Sequence, residues 1–81
     1  MNREYVKDKV FSLIQGVLEG SDINIREDSG LMDDLDLSSL EIMTMISDIE
    51  DEFNIVLTEA EMRKVISVSD LIEAIYSKSE K

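Results

Sequence analysis

The 81-residue sequence contains no cysteine, no histidine, no proline and no tryptophan, and only three glycines. Without cysteine there are no disulfides, thiol nucleophiles or thiolate metal sites. Without histidine the commonest general acid/base and the commonest transition-metal ligand are missing. A Gly-rich phosphate loop is absent, and a serine triad has no imidazole to use. No apolar run approaches the roughly 18 residues that a membrane span needs. The first ten residues, MNREYVKDKV, have no signal-peptide core, so the expectation is a cytoplasmic protein. Length predicts one domain over residues 1–81, burying roughly 60–65% of the surface exposed by its unfolded chain. Catalysis is not expected of such a chain.

What is abundant is negative charge. Nineteen acids against eight bases give a net charge of −11, while 43% of the residues are apolar. That apolar share is too high for a disordered acidic tail. The charge argues against nucleic acid and anionic membranes as partners, and for basic protein surfaces. It is also localised. Residues 22–61 hold thirteen acids and one base, Arg26, whereas residues 1–21 are neutral and residues 62–81 carry net +1. The excess is either a solvated face or a docking surface.

Scarce glycine, absent proline and the apolar spacing predict helices. Val6, Val10, Leu13, Ile14, Val17 and Leu18 mark a helix between Asn2 and Glu19. Asn2 is placed to cap its start and Gly20 to follow its end. Gly16 costs this helix about 1 kcal/mol relative to Ala and suggests a close approach. Residues 20–38 lack a period but contain Ile23, Ile25, Leu31, Leu35 and Leu37, which predicts a long loop pinned to the core. Ser38-Ser39-Leu40-Glu41 is a capping box opening a second helix to about Phe53, with Ile42, Met45, Ile46, Ile49 and Phe53 as its core stripe. Thr58-Glu59-Ala60-Glu61 opens a short third helix to about Val65. A last helix follows Ser67, with Val68, Leu71, Ile72, Ile75 and Tyr76 on one side. Residues 54–57 have strand character but no partner. The fold class is all-α: four helices, with a long first loop and a short third helix.

Two apolar residues of the second helix fall outside its stripe, Leu40 and Met43. Glu41, Asp48, Asp51 and Glu52 share its polar side, and Glu50 lies near Met43. An apolar pair among carboxylates is what a partner-binding helix displays, although single exposed apolar residues are ordinary. Ser39 stands out by position. If Ser38 is the N-cap, Ser39 is the first helical residue and its hydroxyl is free for modification; otherwise either serine is simply a cap. An anion there meets free backbone N–H groups and the favourable end of the helix dipole. Asp33-Asp34-Leu35-Asp36 does not match an EF-hand: the sixth position lacks Gly, and Met45 falls where the bidentate Glu belongs. No metal site is assigned.

Taken together, Asp34-Leu35-Asp36-Leu37-Ser38-Ser39-Leu40-Glu41 resembles the modification segment of the acyl carrier proteins. Ile49-Glu50-Asp51-Glu52-Phe53-Asn54-Ile55 and Val65-Ile66-Ser67-Val68 are similar to later segments of that family in the same register. The resemblance covers nearly the whole chain and implies an acyl-carrier-like four-helix bundle with a covalent 4′-phosphopantetheine on Ser39. The cofactor's thiol would hold acyl groups as thioesters, supplying the sulfur that the chain lacks. It further implies a freestanding, monomeric carrier for fatty-acid or related lipid and polyketide biosynthesis. Its partners would be a phosphopantetheinyl transferase and acyltransferases, synthases or ligases with basic patches. Leu40, Glu41, Met43, Asp48, Glu50 and Asp51 occupy the matching docking positions. The sequence departs from the family where Ser38 replaces the usual Asp, Asp36 the common Gly, and Thr58 a frequent Pro. The alternatives are an acidic helical adaptor without a prosthetic group, and a carrier of aminoacyl groups.

Overall fold

The computed structural model describes residues 2–18 and 24–79. Its four helices are α1 (Arg3–Val17), α2 (Ser39–Phe53), α3 (Glu59–Arg63) and α4 (Val68–Ser79). Helix α1 packs on both α2 and α4. The three long helices bring together Val6, Val10 and Ile14, then Met45, Ile46, Ile49 and Phe53, then Val68, Leu71, Ile72 and Ile75 as one core. These residues recur at helical spacing, so each helix buries one stripe and leaves its polar side to water.

Four local devices set the helix starts. Asn2 accepts from the Tyr5 N–H at 2.8 Å. Ser38 and Thr58 each form a reciprocal capping box, with Glu41 and Glu61 respectively. A third reciprocal pair opens α4: Ser67 Oγ accepts from Asp70 N, and Asp70 Oδ2 accepts from the backbone N–H groups of Ser67 and Ile66. Those two amide bonds, Ser67's the stronger contributor, hold the Asp70 carboxyl below its usual range.

Several boundaries differ from expectation. Helix α1 stops at Val17, with Leu18 as its C-cap. Gly20 and Ile23 lie outside the described residues. Gly16 makes no close approach, because an added Cβ there meets nothing within 4 Å. Helix α3 ends at Arg63, two residues early. Ile42 and Tyr76 are half-buried, packed against the core and not inside it. Residues 54–57 form no strand; Asn54 takes a left-handed conformation, φ 55°, and ends α2.

The long loop is pinned, as its aliphatic residues predict. Ile25, Leu31, Leu35 and Leu37 are buried. Its backbone is also tied to the α3–α4 junction. Leu31 N donates to Ile66 O at 2.9 Å, Val68 N to Ser29 O at 2.9 Å and Ser69 N to Glu27 O at 2.8 Å. Among the described residues, Gly30 and Ser67 make an antiparallel bridge. Arg3 adds an ionic tie, contacting Glu27 of the loop and Glu73 of α4. The Arg3 guanidinium, its bond outweighing the desolvation cost, holds the Glu27 carboxyl below its usual range.

Candidate functional site

The site is built where the loop enters α2. Leu37 N donates to Leu31 O at 3.0 Å, and Asp34 Oδ2 accepts from Gly30 N at 2.6 Å. These bonds fold the acidic run back on itself. Asp36 sits there with φ 55°, a conformation that suits glycine and strains most other residues. One turn later the chain enters α2 with Leu35 and Leu37 anchored in the core.

The two adjacent serines have separate roles. Ser38 Oγ accepts from Glu41 N at 3.2 Å while Glu41 Oε1 accepts from Ser38 N at 2.9 Å. Ser39 follows as the first residue of α2, exposed and outside that box. Its hydroxyl is therefore open to an esterifying enzyme without cost to the cap.

Beside Ser39 lies an open cleft of about 510 Å³. Its walls include Met32, Ile42, Met43, Met62 and Ile66, and its ionic members are Asp33 and Arg63. Three of the four methionines among the described residues line it. Unbranched thioether side chains adapt to guests of varied shape. The spacing arguments miss this cleft, since Met32 and Ile66 lie in segments without a period and Met62 in a one-turn helix. An excess of methionine around the site is the only sequence signal that could have disclosed it.

The exposed face of α2 matches its pattern. Leu40 is 74% exposed and Met43 62% exposed. Glu41, Asp48 and Asp51 are exposed too. Asp48 and Asp51 make no ion pair or hydrogen bond among the described residues, whereas Glu52 pairs with Lys9 at 3.2 Å. Glu50 differs from its neighbours. It is half-buried, and its Oε2 accepts from Leu57 N at 2.9 Å, which fastens the α2–α3 connection. Among the described residues no group of three or more acids is placed to hold a metal ion.

The family model described as phosphopantetheine attachment site matches residues 8–75. An acyl carrier protein of Thermotoga maritima is 31% identical over 77 residues, covering 95% of both chains. The chain belongs to the acyl carrier protein family. An acyl carrier protein of Desulforapulum autotrophicum is 36% identical over 91% of this chain and 97% of that one. The solution structure of a holo acyl carrier protein from Geobacter metallireducens has the same fold. Its TM-score is 0.77 at 22% identity, with 90% of this chain and 84% of that one covered. This family member is thus a carrier and not a catalyst, built to bear a covalently attached 4′-phosphopantetheine. The local geometry fits that group: an exposed serine borders a largely apolar cleft of about 510 Å³.

Proposed function

We propose that Ser39 is the attachment point and that the carrier presents aliphatic acyl groups to enzymes of fatty-acid or related lipid and polyketide biosynthesis. The observation that carries this reading is the division of labour between the serines. Ser38 holds the helix cap, and Ser39 is exposed beside the cleft. In the loading step Ser39 Oγ loses its proton and forms a phosphodiester bond. The pyrophosphate of coenzyme A breaks and adenosine 3′,5′-bisphosphate leaves, on a transferase. The arm supplies a thiol for thioester chemistry. The apolar, methionine-lined walls favour aliphatic groups over charged aminoacyl groups.

Leu40, Glu41, Met43, Asp48 and Asp51 form the docking face, an apolar pair bordered by carboxylates. That arrangement suits a partner with a basic rim and an apolar centre. Glu50 contributes charge to the same face while holding Leu57. Residues 1–81 act as one carrier unit. The test is intact mass after incubation with a phosphopantetheinyl transferase and either coenzyme A or a fatty acyl-coenzyme A. The reading expects the mass of one arm, with or without its acyl group, and loss of the acyl mass on hydroxylamine treatment. No added mass with several transferases would favour an adaptor without a prosthetic group.

A further inference from the structure

Of the described residues that line the cleft beside Ser39, Arg63 alone is cationic. It closes α3 and pairs with Glu59 one turn earlier at 3.3 Å, with the side chains 74% and 79% exposed. An exposed i,i+4 pair of this kind is weak, so its guanidinium is readily given to a better anion. Apart from Arg63 and the N–H end of α2, the charged groups of this part of the chain are negative. Residues 22–61 carry thirteen acids and one base, and Asp33 lines the same cleft. A phosphodiester on Ser39 would be drawn to the N–H end of α2, repelled by the carboxylates, and would share the cleft with the Arg63 guanidinium. Guanidinium is suited to this, because its forked N–H donors match phosphate oxygens.

Resting on Ser39 as the attachment point, we infer that Arg63 exchanges Glu59 for the phosphodiester of the attached arm and lays the arm along the wall formed by Met32, Met43, Met62 and Ile66. Arg63 is then a positioning residue. It fixes the direction in which the arm leaves the helix and keeps the arm on the cleft side of α2. Glu59 is its competitor, and holds the guanidinium aside before modification. Glu59 lies outside the Thr58–Glu61 capping box, so its removal leaves that cap intact.

The two halves of the ion pair separate this role from a structural one. If Arg63 and Glu59 merely stabilised α3, R63Q and E59Q would act alike. If Arg63 holds the arm, they act in opposite directions. The experiment prepares the apo and holo forms of the parent chain, R63Q, R63K and E59Q, with intact mass to verify loading. It then records the amide NMR shift difference between holo and apo at Met32, Val65 and Ile66. The parent should show a difference that fades at high salt as the ion pair is screened. It should be lost in R63Q, retained in part in R63K and enlarged in E59Q. Apo melting temperatures should change little in all three variants. Equal shift differences in the loaded parent, R63Q and E59Q would overturn the role of Arg63 while leaving Ser39 as the site. No loading of the parent would overturn the site itself, and this inference with it.

Discussion

Asp36 offers a direct test of how the loop delivers the chain into α2. Its φ of 55° costs an ordinary L-residue roughly 1–2 kcal/mol relative to right-handed backbone. Glycine escapes that strain, but its freer unfolded chain returns about 0.4–1 kcal/mol of the gain. Comparing D36G with D36A removes the charge in both and isolates the backbone. The net difference in favour of D36G is then about 1 kcal/mol, which in a domain of this size is about 4–8 °C of melting temperature. D36G should also melt above the parent, since aspartate bears part of the same strain. The assay is thermal unfolding followed by circular dichroism, checked by urea denaturation. If D36A melted at or above D36G, the left-handed conformation at this position would be refuted. So would the view that the loop stores strain just before α2.

Three further expectations concern the rest of the chain. G16A should raise the melting temperature through about 0.5–1 kcal/mol of recovered helix stability, because the added methyl group meets open space; an unchanged or lower value would contradict it. Asp70 has a lowered folded-state pKa, so its contribution is fully present above the ordinary value of 3.8. That contribution is lost as the pH drops through the folded-state value, and the acid limb of stability against pH should be shallower in D70N than in the parent. Charge reversal at Asp48 or Asp51 should slow association with a transferase bearing a basic patch, measured by stopped flow, while reversal at exposed Asp8 of α1 should not. Equal slowing at all three positions would mean that net charge, not the α2 face, governs docking.

What could be read from the sequence was local. The two S/T-x-x-E boxes at Ser38 and Thr58 placed the starts of α2 and α3, because a capping box is written in four consecutive residues. The stripe Met45–Ile46–Ile49–Phe53 was visible for a similar reason, since burial repeats with the helix period. The reciprocal cap at Ser67 and Asp70 is equally local, but it is hidden because Asp stands where Glu or Gln marks the pattern. Ile42 counted with the stripe by angle, yet at the open end of α2 it borders the cleft. Contacts between distant segments were not legible. The ties from Leu31 to Ile66 and from Ser29 to Val68 join segments without periodicity. The cleft they help frame exists only once those segments meet. Glu50 read as one more surface acid, since nothing in its spacing discloses that its carboxylate reaches Leu57 N. The left-handed backbone at Asp36 was foreshadowed only by the family's glycine there.

The assignment of two roles to two neighbouring serines is tested most directly by intact mass and melting on S38A and S39A after incubation with a transferase and coenzyme A. S39A should gain no mass and melt close to the parent, because alanine is well tolerated at the first helical position. S38A should melt lower by the loss of a cap, a cost of about 0.5–2 kcal/mol, and should still gain the arm. Arm addition that survives in S39A and disappears in S38A would contradict the account.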